Sequence, residues 1–167
     1  MKPAFIVVSI AFLAVTGCKD LGSNIAVVAY EDDIREAVFR YQFSHNESGQ
    51  QQTAAVYFIG LYSAGDSLHP GYYTDPSENL LVRFLGTAPP VKRVSECTQS
   101  VDGVFDIHSG ARGLLFRIES IGEISADEVE VRGGYFEAGL SASGNVYTLK
   151  RIGGNWVVIQ DLLLWIS

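Results

Sequence analysis

The sequence predicts a single domain of the α+β class, with an N-terminal amphipathic helix packed on a curved antiparallel β-meander. Two observations support this class. Apolar residues recur at helical spacing in the region that follows residue 30, and apolar and polar residues alternate in most segments after residue 110. Because a helix that precedes a run of strands usually buries its apolar face on their sheet, we expect the sheet to wrap around the helix.

Length, composition and charge restrict the possibilities. The chain has 167 residues, of which 47% are hydrophobic, so it can bury enough apolar surface to fold as one domain. It has 12 Lys and Arg residues against 19 Asp and Glu residues, a formal net charge of −7 at pH 7. Nucleic-acid binding depends largely on basic side chains that neutralise phosphates. We therefore do not expect nucleic acid to be a partner.

Residues 1–16 (MKPAFIVVSIAFLAVT) have the pattern of an export signal. Lys2 is followed by an uninterrupted run of apolar and small residues from Ala4 to Thr16. A helix that spans a bilayer needs about 20 residues, so this run is too short to cross one but has the length of a signal-peptide core. We therefore expect the segment to direct export.

The segment Val15-Thr16-Gly17-Cys18 resembles the lipobox of bacterial lipoproteins, in which an aliphatic residue and two small residues precede the Cys that is modified. The resemblance implies a lipid on Cys18, whose acyl chains would anchor the protein to a membrane of the cell envelope. Lys19 is not the Asp of an inner-membrane retention signal, which favours the periplasmic face of the outer membrane. The alternative is an ordinary secretory signal in which Cys18 is present by chance. The implied organisation is a signal peptide at 1–17, a lipidated Cys and spacer at 18–29, and one α+β domain at 30–167.

The predicted helix begins near three acidic residues, which favour the positive end of a helix dipole. Its apolar residues follow the spacing i, i+3, i+4 and i+7, which places them on one face. A polar run from Ser44 to Gln52 ends it. The acidic residues are Glu31, Asp32 and Asp33, and the apolar ones are Ile34, Ala37, Val38 and Tyr41.

The middle of the chain is predicted in shorter pieces. Residues Thr53–Ser63 are rich in β-branched and aromatic residues and are predicted to form a strand, with a helix as the alternative. Residues 64–75 have the Gly and Pro content of a loop. A second short helix is predicted at Pro76–Leu85 with Asp75 as its cap, and a strand that carries Cys97 at Val91–Thr98.

The remaining segments alternate with a period of two, which is typical of strands with one buried face. This pattern covers residues 114–119, 128–132 and 135–142. The pairs Gly144-Asn145 and Gly153-Gly154 are predicted to be hairpin turns that separate the strands Val146–Ile152 and Asn155–Trp165.

The segment Tyr147–Val158 (YTLKRIGGNWVV) resembles the closing hairpin of NTF2-like domains, in which a Tyr-x-Leu strand turns through Gly into a strand that bears Trp. The resemblance implies a cone-shaped fold with a pocket between the sheet and the helices. Relatives use that pocket as an enzyme site or as a surface for binding or dimerisation. A cystatin-like domain with a similar helix and sheet is the alternative fold. The matching hairpin is structural, so it assigns no catalytic residue.

Few residues have the spacing of a chemical site. The three His residues lie far apart in sequence, which predicts no metal site, and no nucleotide or cofactor motif is present, so we expect no cofactor. In an extended chain, Asp106 and His108 would point to the same side, and the carboxylate could orient the imidazole for acid–base catalysis. The alternative is a turn, because Ser100–Gly113 is rich in Gly, Ser and Asp.

Two further features have both a functional and a structural interpretation. Tyr72 and Tyr73, which follow Gly71, are candidate binding residues, because aromatic rings are favoured at interfaces; the alternative is that one ring covers the edge of the core. Cys97 would be reactive if Lys92 and Arg93 lowered its pKa, and we expect a buried, inert thiol instead.

The sequence leaves three functional hypotheses. The first is a lipid-anchored envelope domain without catalytic activity that binds a protein or a small apolar ligand. The second is an NTF2-like enzyme that uses Asp106 and His108 as an acid–base pair in its pocket. The third is a structural envelope protein that self-associates, as a homodimer for example, through the apolar segment Leu162–Trp165.

Overall fold

A computed structural model describes residues 21–64 and 72–167. For residues 21–29 it describes the backbone only. Within these residues, strands account for most of the regular structure. Single 3₁₀ turns lie at Val82–Phe84 and Val94–Glu96. The elements in chain order are α1 (Leu21–Ser44), β1 (Val56–Ser63), β2 (Tyr72–Thr74), α2 (Glu78–Leu81), β3 (Val91–Arg93), β4 (Cys97–Ser100), β5 (Gly103–Asp106), β6 (Arg112–Ile121), β7 (Glu128–Ala138), β8 (Ser141–Ile152) and β9 (Asn155–Ile166).

The predicted fold class is wrong. Strands account for 51% of the chain and helical residues for 19%, so the protein is mostly β rather than an α+β domain with an NTF2-like or cystatin-like cone. In the described residues, nine strands join one mixed sheet instead of an antiparallel meander. The physical reason is that alternation identifies a strand and its buried face, but does not identify the strand's partner or its direction.

The sheet has the order β2-β1-β6-β7-β8-β9, and β3 also pairs with β1 while the β4–β5 hairpin joins β6. Strands β6 to β9 form an antiparallel meander. The departure from the predicted topology is β1, which runs parallel to both β6 and β3. Strand β9 lies at one edge of the sheet and pairs with β8.

Helix α1 packs on one face of this sheet. Ile34, Val38 and Phe39 are fully buried, while Ala37 and Tyr41 pack against the same core from its border, so the predicted apolar face of the helix is confirmed. The core beneath it includes Leu114, Phe116, Val131 and Leu149 from the meander. The helix ends at Ser44, where the sequence turns polar.

A second, smaller core covers the other face of the sheet around β1 and β6. Because side chains are buried on both faces there, β1 consists of a continuous apolar run rather than an alternating one. The strand predicted at Thr53–Ser63 is therefore confirmed as β1. The second core contains Val56, Phe58, Val94, Val104 and Leu115.

Several predicted boundaries change. The Gly153-Gly154 turn is confirmed, and both residues have the positive φ that a two-residue hairpin turn requires, +59° and +89°. Gly144-Asn145 is not a turn, because β8 continues through it and the chain reverses at Gly139-Leu140. The predicted strand at Val91–Thr98 is split by a 3₁₀ turn between β3 and β4.

The second predicted helix is shorter than expected and has a different cap. Ser77, not Asp75, caps α2, and its hydroxyl accepts a hydrogen bond from the Leu80 N–H at 3.1 Å. The carboxylate of Asp75 instead accepts hydrogen bonds from the backbone N–H and hydroxyl of Ser95. Asp75 therefore links the start of α2 to the segment between β3 and β4.

Candidate functional site

A cavity with a volume of about 590 Å³ lies between the last turn of α1, the loop after it and strands β7 to β9. Its wall is mostly polar, although α1 and strands β7 to β9 also contribute apolar residues to the hydrophobic core. The residues that define its chemistry are Tyr41, Gln42, His45, Asn145, Tyr147 and Asp161.

Gln42 is a buried amide on the cavity wall, with 1% of its surface exposed. Its Nε2 donates hydrogen bonds to the Tyr147 hydroxyl at 3.2 Å, to the Arg117 carbonyl at 3.3 Å and to the Gly134 carbonyl at 3.4 Å. Its Oε1 has no hydrogen-bond partner among the described residues. A buried acceptor without a donor is costly, so this atom requires an explanation.

A chain of hydrogen bonds positions Asp161, which also lines the cavity. The Ser143 hydroxyl donates to Asn145 Oδ1 at 2.8 Å, and Asn145 Nδ2 donates to Asp161 Oδ1 at 2.7 Å. Burial, and then the nearby charge of Asp161, raise the pKa of the Tyr41 hydroxyl. The pKa of the Tyr147 hydroxyl is also raised, chiefly by burial. Both phenols are therefore neutral at pH 7.

An aromatic pair lies at the mouth of the cavity. The His45 ring stacks on Tyr41 with 4.2 Å between ring centroids and an angle of 3° between the planes. His45 Nδ1 also lies 2.9 Å from the Ser44 hydroxyl and 3.1 Å from the Tyr41 carbonyl, which fixes the orientation of the ring. Of the residues that line the cavity, Asp161 and Glu47 are acidic and none is Lys or Arg.

The predicted catalytic pair has a different geometry. Asp106 is 4% exposed, and its Oδ2 accepts a hydrogen bond from Lys92 Nζ at 2.6 Å. Its Oδ1 accepts from the backbone N–H groups of His108 at 2.8 Å and Ser109 at 3.2 Å. Lys92 first, and then these N–H groups, lower the pKa of Asp106 to about 2.

The imidazole of His108 is exposed, and Asp106 contacts the backbone of this residue and not its ring. Neither residue lines the cavity beside α1. The bonds of Asp106 fit the alternative interpretation, in which a carboxylate stabilises the turn after β5. A catalytic role for the pair stays a prediction.

The other predicted residues lie apart from the cavity. Tyr72 is exposed, whereas Tyr73 is half-buried, contacts the edge of the Tyr62 ring and lies 5.7 Å from the Arg117 guanidinium. Cys97 is half-buried, and burial, followed by the charges of Asp106 and Asp75, raises its pKa to about 11. Cys18 and its predicted lipid lie outside the described residues.

Strand β9 is a second candidate site, because seven of its nine apolar side chains are exposed, while Trp156 is buried and Val158 is partly buried. The sequence predicted such a surface at Leu162–Trp165, but the structure extends it to Val157 and Ile166. The exposed fraction of each large apolar side chain lies between 41% and 53% for Val157, Ile159, Leu162, Leu163, Leu164, Trp165 and Ile166.

The cavity was not among the sites predicted from the sequence, although one signal for it was present. Gln42 follows Val38 by four residues and therefore falls on the buried face of α1, where a polar residue is unexpected. The proximity of Asn145 and Asp161 depends on the pairing of β8 with β9 and had no signal in the sequence.

Comparisons with known proteins do not assign a family. No protein-family model matches the chain, and comparisons with curated proteins and with solved structures also give no significant match. In the described part of the chain, no helix has the length and apolar character needed to span a membrane. Within the same residues, no group of three or more His, Cys, Asp or Glu side chains is arranged to hold a metal ion.

Proposed function

We propose that this protein is a non-catalytic interaction domain of the bacterial cell envelope, anchored by a lipid on Cys18, and that it associates with a second copy of itself through β9. The observation that supports this proposal is the exposed apolar edge strand. The anchor rests on the resemblance of residues 15–18 to a lipobox.

An edge strand has backbone N–H and C=O groups on its outer side that can pair with another strand. Natural proteins usually protect such edges with Lys, Pro or a very short strand. Strand β9 has 12 residues, with neither Lys nor Pro among them. Its pairing with β8 shifts register twice, leaving Ile159 and Leu164 without a Cα partner, so apolar side chains project on both faces.

The charge of the chain favours a second copy as the partner. Most surfaces of a protein with a net charge of −7 repel an identical molecule, but β9 has one charged residue, Asp161. Two identical edges can pair antiparallel about a two-fold axis, which matches each β9 with an equally apolar strand. Anchoring of both copies in one membrane would raise their effective concentration.

The exposed area of β9 is also of the right order. Seven half-exposed side chains, each with an accessible area of roughly 170 Å², present roughly 600 Å² of apolar surface. A stable interface of standard size buries about 800 Å² on each partner. Backbone pairing along β9 and the flanking residues would supply the remainder.

The test compares Leu162→Glu with Leu140→Glu in the full-length chain. Leu162 lies on β9, whereas Leu140 is 90% exposed at the turn between β7 and β8, so the control adds the same charge away from the edge. Loss of a half-buried Leu costs about 1 kcal/mol in each copy, which predicts a roughly thirtyfold higher Kd for the dimer.

Mass would be measured across protein concentration in a mild detergent by analytical ultracentrifugation. We expect the wild type and Leu140→Glu to dimerise with the same Kd, and Leu162→Glu to dimerise only at a roughly thirtyfold higher concentration. A wild type that is monomeric at every concentration would overturn the proposal, as would equal effects of the two variants. Lipid vesicles would also be mixed with Cys18→Ala, which lacks the lipid anchor. If this variant binds the vesicles and the addition of Leu162→Glu abolishes binding, β9 is a membrane contact and the proposed self-association is overturned.

A further inference from the structure

We infer that the cavity beside α1 binds a small organic cation with a primary ammonium group. This inference does not depend on self-association through β9. It rests on the volume of the cavity, on the direction of the hydrogen bonds in its wall and on the buried acceptor of Gln42.

The volume suits a small ligand. Binding sites for small molecules commonly have volumes of about 300–1,000 Å³, and this cavity has a volume of about 590 Å³. It opens beside the last turn of α1, where the stacked rings of Tyr41 and His45 form one side. A ligand could therefore enter without a change in the sheet.

Several donors of the wall are used within the wall. The Ser143 hydroxyl donates to Asn145, and the Asn145 amide donates to Asp161. The amide of Gln42 donates to the Tyr147 hydroxyl and to two backbone carbonyls. The carboxylates of Asp161 and Glu47 and the Gln42 Oε1 atom add acceptors to the wall, so the cavity suits a ligand that donates several hydrogen bonds.

The Oε1 atom of Gln42 provides independent support. It is buried, belongs to a side chain that lines the cavity, and has no donor among the described residues. A donor on the ligand, or a water molecule that the ligand holds in place, would complete this site. The side chain that carries this acceptor lines the cavity, which is why we assign the site to a ligand and not to the packing of α1.

The charges select a cation. Asp161 and Glu47 give the lining two carboxylates, and no Lys or Arg lines it, so an anion would be repelled. An apolar ligand would leave the wall's polar groups without partners, so the cavity does not favour the small apolar ligand suggested by the sequence.

The test uses three probes of similar length that differ in charge: n-butylammonium, 1-butanol and butyrate. Binding to the full-length protein in mild detergent would be followed by saturation-transfer NMR and calorimetric titration. We expect n-butylammonium to bind at least tenfold more tightly than 1-butanol, and butyrate not to bind. Equal binding of the ammonium and the alcohol, or tighter binding of butyrate, would overturn the inference.

Two variants connect the binding to this cavity. Asp161→Asn removes one carboxylate from the wall and should weaken n-butylammonium binding at least tenfold. Its matched control is Glu130→Gln, which removes the same charge from an exposed position on β7 outside the cavity. Equal effects of the two variants would show that the probe responds to net charge alone, and would contradict the proposed site.

Gln42→Met gives a second measurement if Asp161→Asn folds poorly. This variant keeps the net charge but removes the buried acceptor, and it should also weaken n-butylammonium binding at least tenfold. Unchanged binding in Gln42→Met would overturn the role of this amide. The variant Leu162→Glu should bind the probe normally even as a monomer, which separates failure of this site from failure of the proposed interface.

Discussion

Gln42→Met is expected to leave the protein as stable as the wild type or more stable, although Gln42 is one of the most deeply buried residues. Met has a similar shape and no strong hydrogen-bonding group, so it can occupy the same space between α1 and the sheet. The substitution removes one unpaired acceptor and one amide donor group. Its effect on stability is therefore the difference between these two contributions.

The hydrogen bonds allow the magnitude to be worked out. A buried acceptor without a partner costs about 1–3 kcal/mol, and its removal recovers that amount. The three contacts of Gln42 Nε2 are long, at 3.2–3.4 Å, and share two hydrogen atoms. Together they contribute about 1 kcal/mol net. We therefore expect the free energy of unfolding to rise by about 1 kcal/mol, which corresponds to a Tm about 3 °C higher.

Thermal unfolding followed by circular dichroism would measure this difference, with Tyr147→Phe as the control. The control removes the hydroxyl that accepts from Gln42 but keeps the unpaired Oε1, so it should lower stability by up to about 1 kcal/mol. If Gln42→Met lowers the free energy of unfolding by more than about 1 kcal/mol, the amide is structural. A role of this amide in ligand binding would then be refuted.

Two further predictions concern titratable groups outside the cavity. The pKa of Asp106 is about 2, below the value near 4 of an unfolded chain, so its stabilising contribution is complete above about pH 4 and is lost as the pH falls towards 2. In urea unfolding, Asp106→Asn should therefore be less stable than the wild type at pH 6 and should approach it near pH 2; a difference that stays constant would contradict the ion pair with Lys92. Because the pKa of Cys97 is about 11, few molecules contain its thiolate at pH 8, and iodoacetamide should modify it at least a hundredfold more slowly than free cysteine. Peptide mapping would measure this rate, and rapid labelling would show that the thiol is not buried as described.

The sequence predicted local features better than it predicted their arrangement. The spacing of Ile34 and Val38 identified the buried face of α1, because the spacing and the face both depend only on residues within the helix. Alternation identified β6 and the first part of β7 for the same reason, but the alternating segment 135–142 crosses the turn between β7 and β8. The parallel pairing of β1 with β6 joins residues 57 positions apart, and no local pattern specifies such a partner. This non-local pairing is the main reason why the predicted fold class failed.

Gly144 shows how one residue can support two interpretations. A Gly-Asn pair is typical of a hairpin turn and predicts one here. In the structure Gly144 lies within β8, and a Cβ at this position would overlap the indole of Trp165 on β9. The glycine provides space for an aromatic ring from the neighbouring strand, and such a contact becomes visible only once the register of the two strands is known.

The candidate site was predictable only in part. Gln42 could have been identified as a polar residue on the buried face of a helix, since its spacing from Val38 is local information. The position of Asp161 next to Asn145 depends on two irregularities in the pairing of β8 with β9, each of which changes the residue that faces the cavity. Irregularities of this kind have no reliable signature in a single sequence, and the predicted pair Asp106 and His108 was therefore the only compact polar group that local spacing could indicate.

The parallel pairing of β1 also has a consequence for the order of folding. Strands β6 to β9 are joined in sequence by short connections, so they can form a sheet from local contacts as soon as they are available. Strand β1 leaves the ribosome earlier but has no central position to occupy until β6 is present, and its apolar run VYFIGL stays exposed in the interval. We expect pulsed hydrogen exchange during refolding to protect the amides of β7 and β8 before those of β1. Residues 56–61 would then be the segment most dependent on a chaperone while the chain is still incomplete.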